Sequence, residues 1–170
     1  MLIYSVLSFV LGLIVGSFAN VLVLRTQKGE SIVSPGSHCP NCHEPLKWQD
    51  NIPVFSYLLL KGKCRYCHKL ISWQYPVVEA AVAMLFVSLY VYFTPGDVSG
   101  WLVLILWWIA TVLLVAAFVY DLRWYELPDQ FTLPVIGIAV LLLIFAASQN
   151  GLQSIVPQLI ATVIYTGIYF

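Results

Sequence analysis

Four cysteines and three histidines carry the first chemical signal. "SHCPNCHE" at residues 37–44 is followed by "GKCRYCHK" at residues 62–69, so each segment sets a Cys-x-x-Cys directly before a histidine. Two chemistries use that pattern. Paired knuckles can hold one metal ion through Cys39, Cys42, Cys64 and Cys67, whereas each Cys-x-x-Cys-His can instead attach a c-type haem. A haem also needs a second axial ligand, usually His or Met. The segment contains no Met, and His38 is its only histidine outside the knuckles. The linker "KWQDNIPVFSYLLL" offers little apolar lining for two haems. A C-x2-C-x21-C-x2-C spacing instead predicts a structural zinc (Zn2+) site with four thiolate ligands. Such a site closes on all sides and leaves no position for a reacting water. Its binding contributes on the order of 10 kcal/mol to folding, which suits a loop too small to build its own core. His43 and His68 are expected to sit exposed beside the knuckles.

The eight acids divide by position. Glu30, Glu44 and Asp50 lie in the cysteine-bearing loop and read as solvated surface, as does Glu126. Asp97, in "TPGDVSG", reads as turn chemistry. Glu79 is expected in the first turn of a helix, where a carboxylate is favoured. Asp121 differs, because it ends the apolar run 101–120, where the helix dipole disfavours an acid. An ionisable group at membrane depth is a functional hypothesis by default. The alternative is that Asp121 reaches into the aqueous loop or pairs with Arg123. Asp129, in "ELPDQFTLP", is better placed to cap the helix that follows it.

The elements that position these groups are apolar. Hydrophobic residues make up 61% of the chain and charged residues 9%, against roughly 25% charged in soluble domains. A bilayer core takes about 20 apolar residues of helix to cross. Five stretches approach that length: 2–24, 76–94, 101–120, 131–147 and one from about 155. The first lacks a basic leader region and a small-residue cleavage site, so it reads as an uncleaved span. The fifth stops at Phe170 without a polar exit, which predicts a longer polypeptide. Seven of the eight Lys and Arg fall between residues 25 and 69, and the eighth is Arg123. Lys and Arg in short loops stay in the cytoplasm, so the 25–75 loop is predicted inside and the N-terminus periplasmic. Arg123 then falls inside as well. Haem attachment takes place outside the cytoplasm, disulfides are disfavoured within it, and a thioredoxin-like motif would need a βαβ setting; zinc is the reading that remains. The zero formal charge gives no nucleic-acid footprint. The expectation is an all-α polytopic membrane protein in the lipid bilayer, with about five transmembrane helices and a small cytoplasmic zinc-binding insert. Its parts are a first helix at 1–24, a zinc loop at 25–75 and a transmembrane region at 76–170.

Three segments then resemble the type IV prepilin peptidases. "GSFANVLVLR" at 16–25 resembles the end of that family's first helix. "NIPVFSYLLLKGKC" between the knuckles, with "YPVVEA" at 75–80, resembles its cytoplasmic zinc domain, and "DLRWYELPDQFTLP" at 121–134 the segment holding its first catalytic aspartate. The resemblance implies an intramembrane aspartic endopeptidase of the bacterial cytoplasmic (inner) membrane. It implies cleavage of the leaders of prepilins and pseudopilins, for type IV pili and type II secretion, and methylation of the new amino terminus from S-adenosylmethionine. By matching position it makes Asp121 the first catalytic aspartate. Two departures stand out. Arg25 is followed by Thr26 and Gln27 where the family has Arg-x-Pro, and the Gly-x-Gly-Asp segment of its second aspartate is not among the 170 residues. Asp129 is the remaining, less favoured partner for Asp121, so the chain by itself is expected to be inactive as a protease. A reading of another class is a non-catalytic membrane module whose zinc loop docks secretion or pilus components.

Overall fold

A computed structural model of the chain describes residues 1–34 and 36–150; the expected fifth span lies outside them. The described residues form five α-helices and one 3-10 turn, with no strand among them. Helix α1 covers Leu2–Lys28, α2 Phe55–Leu59, α3 Gln74–Phe93, α4 Val98–Trp124 and α5 Asp129–Asn150. Four of the five, all but α2, are long and apolar enough to cross a membrane. The outer two turns of sequence decide where they stop. Asp97 caps α4 by accepting the Gly100 N–H at 2.9 Å, as its turn context predicts. The Ser99 hydroxyl, then that N–H, hold the Asp97 carboxyl below its usual range. At the other end Tyr125 adopts φ 55° and its N–H closes the helix on Asp121 O.

Helices α1 and α3 run antiparallel in a close seam. A Cβ added to Gly12 would meet Ala83, and one added to Gly16 would meet Glu79. One turn further, Asn20 Nδ2 donates to Tyr75 O at 3.2 Å. Each step of four along α1 is thus a step of four back along α3, the small-residue packing that brings membrane helices together. Helix α4 packs on this pair through Phe86 and Trp108, stacked at 4.9 Å, with Trp108 Nε1 donating to Phe86 O at 3.1 Å. Helix α5 leans on α4 through Tyr120 and Phe131 at 6.2 Å. The connectivity carries the C-terminal ends of α1 and α4 and the N-terminal ends of α3 and α5 to one end of the bundle.

Candidate functional site

Residues 29–73 form the insert at that end. The two knuckles are the same structure repeated at an offset of 25 residues. In the first, Cys39 N–H bonds Glu44 O, His43 N–H bonds Cys39 O, and His38 bridges Pro45. In the second, Cys64 N–H bonds Lys69 O, His68 N–H bonds Cys64 O, and Lys63 bridges Leu70. Each turn needs a left-handed residue directly after its second cysteine, and His43 (φ 58°) and His68 (φ 57°) supply it. Both rings are exposed, as expected.

The knuckles bring Cys39, Cys42, Cys64 and Cys67 together with all four Sγ atoms within 4.8 Å of one another. Cys39 and Cys67 lie 3.9 Å apart, and no disulfide joins the cluster. Burial pushes the Cys39 thiol up, but the N–H groups of Cys42 and Asn41 and the neighbouring thiols bring it down to about 7. For Cys42 the Glu44 N–H pulls downward, yet burial and the adjacent thiols raise it to about 11. One thiolate is stabilised and its neighbour resists ionising, as expected where negative charges crowd. A cation removes that conflict, and the donor set fits a metal ion.

Two acids hold the insert in ways their sequence positions did not indicate, Asp50 within it and Glu79 between it and the bundle. Asp50 is not solvated surface: its side chain is 3% exposed and its Oδ1 accepts Arg65 Nε at 2.7 Å, while Oδ2 accepts Lys47 N–H. Glu79 is not in a first turn either, since α3 begins at Gln74. It is 6% exposed and accepts the Val54 N–H at 2.6 Å. Val54 has φ 60° and ψ −47°, a strained conformation for a β-branched residue. It centres a γ-turn closed by Phe55 N–H on Pro53 O, a tight form that needs support from its surroundings. Glu79 gives that support. An acid inside the apolar run "YPVVEAAVAMLF" was its only sequence signal. Arg25 ties Ser31 and Gly36 to the end of α1 by donating to Ser31 O at 2.7 Å and Gly36 O at 3.4 Å.

A cavity of about 410 Å3 lies between insert and bundle, walled by Asn20, Arg25, Cys39, Tyr75, Glu79 and Arg123 among others. Asn20 is buried, and its Oδ1 has no hydrogen-bond partner. Asp121 occupies the last turn of α4, half-buried, two residues before Arg123. Among the described residues the ion pairs are Lys28–Glu30 and Asp50–Arg65. None joins Asp121 to Arg123, whose guanidinium lies over the Trp124 ring at 5.7 Å. Asp129 is exposed as the first residue of α5, a position the helix dipole favours for a carboxylate.

Residues 10–93 match the bacterial peptidase A24 N-terminal domain. A "type 4 prepilin-like proteins leader peptide-processing enzyme" of Escherichia coli O78:H11 is 39% identical over 145 residues, 75% of this chain and 52% of that protein. A "prepilin leader peptidase/N-methyltransferase" of Klebsiella pneumoniae is 38% identical over 140 residues, 78% of this chain and 59% of that protein. One of the same name from Myxococcus xanthus reaches 48% identity over 83 residues, 49% of this chain and 25% of that protein. No solved structure matches the chain. The chain spans about half the length of the curated relatives it matches. Its sequence places it in the prepilin peptidase family, with residues 10–93 as the peptidase A24 N-terminal domain.

Proposed function

We propose that this chain supplies one catalytic carboxylate and the metal-bearing insert of an enzyme that removes prepilin leaders and methylates the new amino terminus. The observation that carries this reading is the position of Asp121, a half-buried acid without an ion-pair partner among the described residues, at the same end of the bundle as the insert. Two carboxylates that share one proton can divide the work of base and acid between them. The ionised one takes a proton from water as its oxygen attacks the scissile carbonyl, and the protonated one gives its proton to the substrate. Asp121 is one of the two. Asp129, exposed at the start of α5, is better explained by its helix end, so the 170 residues alone are expected not to cleave.

Zinc is the metal this reading assigns to the thiol cluster. Four thiolates at about 2.3 Å from a tetrahedral zinc are about 3.8 Å from one another, which agrees with the 3.9 Å between Cys39 and Cys67. Cys39, Cys42, Cys64 and Cys67 would hold the ion through four sulfurs, and its part would be to fold the insert. S-adenosylmethionine, when bound, supplies an activated methyl group. The cavity is the place we assign to it: its volume lies in the range of small-molecule sites. Tyr75, Arg123 and the unpartnered Asn20 Oδ1 offer a phenol, a cation and an acceptor beside apolar Val21 and Leu24. With Lys and Arg gathered at the insert end, the positive-inside rule supports an inner-membrane protein whose insert is cytoplasmic and whose N-terminus is periplasmic.

The test is cleavage of a prepilin by the full-length protein. Loss of an acid–base group costs about 10²–10⁴-fold in rate, so Asp121→Asn should fall by that factor while metal content and unfolding temperature stay unchanged. Asp129→Asn should cleave normally. Equal cleavage by Asp121→Asn and the unaltered protein would remove Asp121 from the mechanism and leave the docking-module reading.

A further inference from the structure

Helix α2 presents its apolar face outward. Phe55, Leu58 and Leu59 are 56%, 66% and 67% exposed, and their spacing puts them on one stripe of the helix. The opposite side is the anchored one: Tyr57 donates its hydroxyl to Ile71 O at 3.4 Å. A helix in an aqueous loop would be oriented the other way.

Three observations say what covers this face. First, α2 does not stand off in water. Its preceding residue, Val54, is bonded to Glu79, which lies about 7 Å along α3 from Gln74 at 1.5 Å per residue. Even with a side chain leaning back toward the helix start, Glu79 holds the Val54 turn beside the first turns of a membrane-length helix. Second, residues 51–78 contain no acid, while exposed Lys61 and Lys63 follow α2 directly. Third, Trp73 caps the start of α3 at 71% exposure, where interfacial tryptophans gather.

We propose that α2 is a membrane-interface element: Phe55, Leu58 and Leu59 sit among the lipid headgroups of the leaflet at the insert end, and Lys61 and Lys63 engage anionic lipid phosphates. This needs α1 and α3 to cross the bilayer, and it stands apart from the peptidase assignment. A short apolar stripe with adjoining lysines is the composition of interfacial helices, and basic residues near a membrane surface are drawn to anionic lipid.

The experiment places a photo-crosslinking benzoylphenylalanine at position 55, 58 or 59 of the full-length protein. The protein is reconstituted in vesicles of phosphatidylethanolamine and phosphatidylglycerol, with the same probe at exposed Glu44 for comparison. Retained metal content shows that each variant is folded. Phospholipid adducts at 55, 58 and 59 but not at 44 are expected. Lys61→Glu with Lys63→Glu should lower the phosphatidylglycerol adduct severalfold. Adducts to a second copy, to a distant segment of the same chain or to added prepilin in place of lipid would overturn the proposal. So would the absence of any lipid adduct.

Discussion

Gly12 and Gly137 are both helical glycines, and replacing each by alanine adds the same methyl group, yet the two changes should move stability in opposite directions. At Gly12 the new carbon would lie 2.5 Å from Ala83 Cα and 3.1 Å from Phe86 Cβ. Carbon atoms attract best at about 3.5–4.0 Å, and Ala83 Cα is backbone that cannot swing aside, so α1 and α3 must part by about 1 Å. Overpacking of this kind costs about 1–3 kcal/mol. A gap of about 0.5–1 Å also forfeits about a quarter to a half of the attraction of each contact it opens. At Gly137 no described residue outside its own stretch of helix lies within 4 Å, and exchanging a helical glycine for alanine gains about 0.8–1 kcal/mol. The two variants should therefore differ by about 2–4 kcal/mol. Unfolding of the full-length protein in mild detergent, followed by circular dichroism, gives the comparison. Gly16→Ala, whose methyl would sit 2.8 Å from Glu79 Cα, should behave like Gly12→Ala. If Gly12→Ala were as stable as the unaltered protein to within about 0.5 kcal/mol, the close seam would be refuted, and the register that places Glu79 with it.

Two further outcomes follow from the insert. Stripping the metal with a strong chelator under reducing conditions should make residues 29–73 protease-sensitive while the helical signal largely persists, because metal binding and insert folding are one equilibrium. Readdition of zinc should restore resistance, and a metal-free insert that resists protease would show that the thiol cluster is not what folds it. Glu79→Leu leaves the Val54 N–H without its acceptor, a loss of about 1–3 kcal/mol, whereas Glu79→Gln keeps an acceptor oxygen and should cost less. Hydrogen exchange at residues 53–60 reads this directly, and equal exchange in all three proteins would mean that Glu79 does not hold the turn.

Features fixed by local pattern were legible in the sequence. Cysteine spacing led to the four-thiol cluster, because two knuckles of identical length fold alike wherever they occur. Apolar run length led to the four long helices. Their ends were less legible: α1 continues past residue 24 to Lys28 and α4 past residue 120 to Trp124, since Arg25, Asp121 and Arg123 are as compatible with helix as with loop once the chain has left the hydrocarbon. That shift puts Asp121 inside the last turn of α4 instead of after it. Pairings between distant segments were not legible. Asp50 with Arg65 and Glu79 with Val54 join residues 15 and 25 apart, and no local spacing distinguishes such partners from solvated charges.

The buried acid and the small-residue seam are nevertheless one feature. Gly12, Gly16 and Asn20 recur every four residues on α1, and Ala83, Glu79 and Tyr75 answer them on α3. Because Gly16 has no side chain, α1 passes directly against the backbone of Glu79. The long carboxylate side chain extends to the strained Val54 N–H, with Ser17 of α1 as a second hydrogen-bonding neighbour. The seam therefore sets the position of the insert as well as the spacing of the helices. A bulky residue at position 16 should loosen the Val54 turn without touching it, and the cavity lined by Asn20, Tyr75 and Glu79 should change shape with it.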